Sequence, residues 1–232
     1  MKMMKRTLAS VLALLVGNVL CLQPVAAQSN DRVQEQKEII KERQAMSKLT
    51  RKQVEENVWK QSKKQAKEWK KEGWKSSPGT PSLEQQANDA MMYQYEMDGE
   101  FPRYIIGRSS AVSSSYAIAR KHAIARARLD IASSIQTEVA ELIENTDSNT
   151  EMSAGEIETA GKIVATGQQL VQQTLGRTNV VFEAYRERNG KVEVMVNVEY
   201  EGRAAKSTVM KLFENEGDEL RQKMENLLNG NK

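Results

Sequence analysis

The chain predicts an α+β fold: a three-stranded antiparallel sheet packed by long helices and preceded by a helical N-terminal arm. Three observations carry this reading. "VVFEAYRERNGKVEVMVNVEY" (Val180–Tyr200) reads as a β-hairpin around Asn189-Gly190, the dipeptide that favours a type I′ turn. "YAIARKHAIARARLDIA" (Tyr116–Ala132) opens a long Ala-rich segment of helical period. Residues 31–75 contain no proline and are rich in Gln, Glu, Lys and Arg, all good helix formers.

Residues 1–27 have the form of a signal peptide. Lys2, Lys5 and Arg6 form a basic start, Leu8–Leu22 an apolar stretch, and Val25 and Ala27 the small-residue positions before a cleavage site at Gln28. The apolar run is too short for a stable transmembrane anchor. Cys21 raises a lipoprotein alternative, but Leu20 stands where lipoprotein processing requires a small residue. Cleavage would remove the only cysteine, so the processed chain would form no disulfide and hold no thiol nucleophile. These features predict an exported protein of the periplasm or outer-membrane periphery.

Residues 28–75 form the predicted arm. It is basic, with 14 Lys and Arg against 8 Asp and Glu from Asp31 to Lys75. From Ser76 onward the balance reverses, to 17 against 23. An arm and a body of opposite sign is the main organisational feature. Val54, Val58, Ala66 and Trp69 make an apolar stripe, with Trp59 at its edge. "SSPGTPS" (76–82) reads as a linker, and Ser82 with Gln85 as a capping box opening a helix through Ala87, Met91 and Tyr95.

The body, residues 83–232, continues with a strand at "RYIIGRSSA" (103–111) and a helix from the Ser113–Ser115 caps to about Asn145. On a helical wheel Ala117, Ile124, Ile131, Ile135 and Leu142 share one side, flanked by Ala125, Ala132 and Val139. Arg120, Lys121, Arg126 and Arg128 scatter around the cylinder. A helix that grips phosphates presents its cations on one side, so this pattern predicts a core helix whose cations reach its edges or pair with Glu183, Glu187, Glu193 and Glu199. A polar connection, a second helix over Ile157–Leu175, the hairpin and a final helix from Arg203 complete the body. That last helix carries Val209, Phe213, Leu220, Met224 and Leu227 on one stripe.

The order of strand, Ala-rich helix ("AIARKHAIARARLDIASSI"), helix and "LGRTNVVFEAYRERNGKVEVMVNVEY" resembles the small bacterial envelope lipoproteins typified by the twenty-kilodalton Helicobacter surface antigen. The likeness spans about Phe101–Tyr200. It implies a strand–helix–strand–strand module of the kind also used by dodecin-like proteins, and no catalytic residues. The lipidation context is missing here, and the Lys/Trp arm lies outside the pattern.

Residue chemistry points away from catalysis. His122 is the sole histidine, and no nucleophile turn or phosphate-binding loop appears. Gly155, Gly161 and Gly167 scatter around a helix, and "DSNTE" (147–151) lacks the glycine and distant glutamate of a calcium loop. No catalytic, cofactor or metal residue is assigned. The candidate site is an interaction surface: Trp59, Lys63, Lys64, Trp69, Lys70, Lys71 and Trp74, within a stretch holding all three tryptophans and seven lysines. Such a basic, Trp-bearing helix suits the interface of an anionic membrane, an anionic polymer, or docking on the acidic body. The implied partners are a protein or a second copy of the chain, with peripheral membrane contact as an alternative and nucleic acid excluded by export. A further alternative, from the dodecin-like module, is a carrier of a small apolar ligand with Tyr185 and Tyr200 exposed at a subunit interface.

Overall fold

A computed structural model of the chain describes residues 25–146 and 152–230, with side chains from residue 31 onward. The predicted signal segment up to residue 24, Cys21 included, and the "DSNTE" segment lie outside the described residues. The fold is α+β, and its main sheet is four-stranded and antiparallel.

Strands β1 (Lys75–Ser76), β4 (Tyr104–Ser113), β5 (Asn179–Arg188) and β6 (Lys191–Glu201) lie in the order β1-β5-β6-β4. The β5–β6 hairpin turns at Asn189 and Gly190, with φ of 53° and 70°, the left-handed pair that a type I′ turn requires. β4 pairs with β6 from Tyr104↔Glu201 to Ser113↔Val192. The expected three strands are therefore joined by a fourth. β1 pairs with β5 at Tyr185 and Ala184, and its two residues straddle the boundary between the predicted arm and the segment read as a linker. A strand so short has no alternation to read. A separate two-stranded ribbon, β2 (Met97–Asp98) with β3 (Phe101–Pro102), precedes β4.

Both faces of the sheet carry buried residues. Ile105, Ala111, Val194, Val196, Val198 and Tyr200 meet α4 (Tyr116–Glu144) on one side. Phe182 and Ala184, on the other, join a second core with Ala66, Trp74, Leu83 and Ala87. That second layer consists of α2 (Arg51–Lys71) and α3 (Leu83–Tyr95), packed on each other. The arm is thus not one continuous helix. α1 (Val25–Met46) and α2 are separated by a turn, and Thr50 with Gln53 forms a capping box that restarts the chain.

The rest of the body also breaks more often than periodicity implies. The expected Ile157–Leu175 helix is two, α5 (Ala154–Thr166) and α6 (Gln168–Thr174), divided at Gly167. A Cβ there would stand 2.5 Å from Leu212 Cδ2, so a larger residue would have to push that side chain aside. The final helix is α7 (Gly202–Met210), a 3-10 turn (Lys211–Phe213) and α8 (Asp218–Asn229), yet of the stripe Val209, Phe213, Met224 and Leu227 are buried and Leu220 is half-buried.

Helix α4 corrects the wheel in its first half. The buried residues are Ala119, Ala123 and Ala127, while Ala117 and Ala125 are exposed and Ile124 is half-buried. Side-chain size misled the wheel. The alanines let the helix approach the sheet so closely that a Cβ on Gly107 would lie 2.1 Å from the Ala127 carbonyl oxygen. From Ile131 to Val139 the wheel holds, with Ile131, Ile135 and Val139 fully buried, while at the end of the helix Ile143 is buried and Leu142 half-buried.

Two pairs of substitutions test these faces. Ile131→Asp should unfold the body, because an uncompensated buried carboxylate costs several kcal/mol, on the order of total domain stability. Arg126→Asp, on the exposed side, should change stability little. Ala123→Leu should cost about 1–3 kcal/mol by overpacking, whereas Ala117→Leu stays within about 0.5. Thermal melts of the four variants measure all of this, and equal losses within either pair would refute the assignment.

Candidate interaction surface

The arm is fastened to the body by a buried polar network. Arg43 Nη1 lies 2.7 Å from Glu138 Oε1, with both side chains about 5 % exposed (4 % and 6 %). Arg43 Nε donates to the Gln94 carbonyl at 2.9 Å, and Gln36 Nε2 donates to Glu138 Oε1 at 2.8 Å. One guanidinium therefore ties α1 to both α3 and α4. Nearer solvent, Arg32 pairs with Asp130 and Lys37 with Glu141, each at 2.6 Å. Beside this network burial raises the Glu42 carboxyl above its ordinary range, while a 3.1 Å hydrogen bond from Tyr95 Oη opposes the rise. The space between α1, β4 and α4 is a cavity of 20 Å³, the size of one water molecule.

Helix α2 divides the candidate residues between two faces. Inward, Val58, Ser62, Gln65 and Ala66 are buried, and Trp69 packs tilted against Phe182 with ring centroids 4.7 Å apart. Trp74, just past the helix, is 6 % exposed beneath the Arg186 guanidinium, 4.3 Å from its ring centroid. Trp69 and Trp74 therefore belong to the second core. Lys70 is engaged as well, with its ammonium 2.5 Å from Glu84 Oε1, which holds that carboxyl below its ordinary range.

Outward, Lys63, Lys64 and Lys71 are exposed, and they are joined by Lys60 and Lys67. At 100° per residue these five lysines fall within an arc of about 100°. Lys60, Lys64, Lys67 and Lys71 form no ion pair among the described residues. Trp59, 39 % exposed, sits at the edge of the row with the Lys63 ammonium 4.7 Å from its ring centroid. Glu56 and Glu68 flank it. The spacing of the lysines, at three and four residues, was legible in the sequence. Only the burial of the opposite face turns it into a surface with one orientation.

The cations of α4 form no such row. Arg120 Nε reaches Glu183 Oε2 at 2.8 Å, as the acidic-hairpin expectation held for that pair. Arg128 instead donates to the Leu175 carbonyl and Thr178, and Arg126 to the Ser110 carbonyl on the edge of β4. Glu183, 7 % exposed, also accepts hydrogen bonds from Ser77 and Tyr116, so its carboxylate is fully used in joining β5 to α4 and to the turn after β1. His122 is exposed on α4.

The tyrosines of the carrier alternative do not line a surface. Tyr200 is 3 % exposed and hydrogen-bonds Thr208, and half-buried Tyr185 packs edge-on against Tyr116 at 5.8 Å. An open cleft of 230 Å³ between α7 and α8 is lined by Ser207, Met210, Lys211, Glu214, Arg221 and Glu225, which offers mixed charge and little apolar wall. Among the described residues no cluster of His, Cys, Asp and Glu could hold a metal ion, and no helix is long and apolar enough to cross a membrane. Compared with protein-family models, curated proteins and solved structures, the chain matches none.

The division of α2 into two faces has a direct test. Trp74→Ala should cost about 3–5 kcal/mol and Trp59→Ala less than about 0.5. For the fastening network, Arg43→Met should cost about 3–5 kcal/mol by leaving Glu138 buried without its partner, and adding Glu138→Leu should recover most of the loss. Denaturant titration of the single and double variants checks the cycle; additive losses would show that the pair does not interact.

Proposed function

We propose that the protein is an exported component of the cell envelope, in the periplasm or at the outer-membrane periphery, that acts by binding rather than by catalysis. The observation that carries the binding reading is the lysine row of α2, outward on a helix whose other face is built into the core. The signal-like N-terminal segment supports export, and the order of β4, α4, the helices α5 and α6, and the β5–β6 hairpin agrees with the strand, helix, helix and hairpin order on which the resemblance to envelope lipoproteins rests. The two buried glutamates that could have served chemistry, Glu138 and Glu183, are occupied by structural partners.

A second reading, contact with a protein partner or another copy of the chain, has its own observation. Ile118 and Leu129, 47 % and 51 % exposed, lie three turns apart on one side of α4, and Val112 at the end of β4 is 46 % exposed. Large apolar side chains grouped on one element mark contact surfaces more often than isolated ones do.

Cell fractionation followed by mass spectrometry of the mature N-terminus tests the proposal. Processed protein beginning at Gln28 and recovered with the envelope is the expected result. A full-length product in the cytosol would overturn export, and lipidated Cys21 would replace peripheral contact by anchoring. Light scattering of the purified protein decides the second reading: a dimer that Leu129→Glu dissociates supports it, and a monomer at all concentrations removes self-association.

A further inference from the structure

We infer that the outward face of α2 is a docking surface for an anionic bilayer, with Lys60, Lys63, Lys64, Lys67 and Lys71 meeting lipid phosphates and Trp59 entering the headgroup region. The inference deepens the binding reading above and rests on it for the site, but it does not depend on export.

Three features of the surface select a bilayer over other anionic partners. The first is shape. From Lys60 to Lys71 the row is about 16 Å long at 1.5 Å per residue and lies on the convex outer side of the helix. A flat array of phosphates can engage every lysine of a convex row at once, whereas a nucleic acid or a polysaccharide strand is held in a groove that follows its backbone. The second is the fate of the aromatics. Three tryptophans in the sequence suggested a run of stacking platforms, but Trp69 and Trp74 are committed to the core. One platform remains, which is little for a stacked polymer and sufficient for an interfacial anchor, where a single half-exposed Trp sits at headgroup depth.

The third feature is electrostatic. The lysines form no ion pair among the described residues, although Lys70, one step around the same helix, finds Glu84. Their charge is therefore available to an external partner. Glu56 and Glu68 at the margins reduce the field without interrupting the row. The helix itself needs no ordering on contact, because its capping box and its buried face already fix it. Docking by this face differs from insertion of an amphipathic helix: the apolar side of α2 stays in the protein, so attraction is mainly electrostatic and reversible.

The test uses the chain from Gln28 onward, which retains Arg32, Gln36 and Arg43 and so the α1 contacts described, with vesicles of phosphatidylcholine alone or containing about one quarter phosphatidylglycerol. Co-sedimentation should show binding to the anionic vesicles only, and loss of it at about 0.5 M salt, where screening is strong. Each lysine contributes roughly a five-fold gain in partitioning, so replacing all five by Gln should weaken binding by two orders of magnitude or more. Replacing all five by Arg should preserve it. Trp59→Phe should abolish the lipid-induced change in Trp emission while leaving most of the binding.

Circular dichroism melts confirm that the Gln variant stays folded; if it does not, the Arg variant and the salt series decide alone. Equal binding to neutral vesicles, undiminished binding of a folded Gln variant, or salt-insensitive binding would overturn the inference. So would capture by soluble heparin or DNA with no vesicle binding, which would leave a lysine surface for a different anionic partner. Failure of vesicle binding with correct processing at Gln28 would refute the lipid surface and leave export standing, and the reverse pair of results would do the opposite.

Discussion

Phe182 and Ala184 project from the sheet on the side away from α4, and Trp69 and Trp74 close over them. This contact governs the architecture. A sheet covered on one face only would present these side chains to water, at a loss of about 25 cal/mol for each square ångström of apolar surface left uncovered. Covering them demands α2 and α3 on the second face. With these in place β1 lies along β5, and Arg186 is held over Trp74 between Glu72 and Glu193. The inward face of α2 is therefore part of a structural layer.

Charge sets the register of that layer more than it adds stability. The Arg43–Glu138 pair is almost wholly buried, and desolvation offsets much of its Coulombic gain. Its geometric demands are strict, however. A guanidinium that must satisfy the Gln94 carbonyl and Glu138 together fixes where α1 can sit along α4 and α3. The outer pairs at Asp130 and Glu141 are half in water and weak individually, but they follow the same alignment. The basic arm and the acidic body thus meet mainly along α4, where Asp130, Glu138 and Glu141 lie at helical spacing, and on the second layer Lys70 pairs with Glu84.

Much of the fold was legible where a local signal had one physical meaning. Asn189-Gly190 admits few alternatives to a tight hairpin turn, and the Val192–Tyr200 alternation fixed which residues enter the core. The stripe of Val209, Phe213, Met224 and Leu227 also named its buried face correctly. On α4 a wheel weighs side-chain size, whereas packing depends on distance. Ala119, Ala123 and Ala127 are buried because they are small enough for α4 to touch the strand at Gly107, a property that large neighbours such as Ile118 and Leu129 conceal. The breaks at Gly167 and Gly217 were missed because apolar periodicity continues across them. For the candidate surface, the sequence located the right helix and grouped residues that the fold then separates. Trp69 and Lys70 differ by one position, and so by 100° on the helix. Which of these residues faced inward depended on the sheet face beneath them, and nothing local to the arm records that.

The separation of faces also explains how a strongly cationic segment can be retained in a stable domain. Five adjacent lysines on a free helix would repel one another and fray it, since like charges at four-residue spacing are unfavourable. On α2 that cost is met by tertiary burial: Val58, Ser62 and Ala66 have no exposure, and Thr50 caps the N-terminal end. The last turn carries Lys70 and Lys71, where positive charge complements the helix dipole. Burial on one side thus holds the lysines in fixed order on the other. A cationic row held in this way loses little conformational freedom when it meets a partner, so its few charges act together. Stability draws on the inward side of the helix and the proposed binding on its outward side, which leaves the outward residues free to change without disturbing the core.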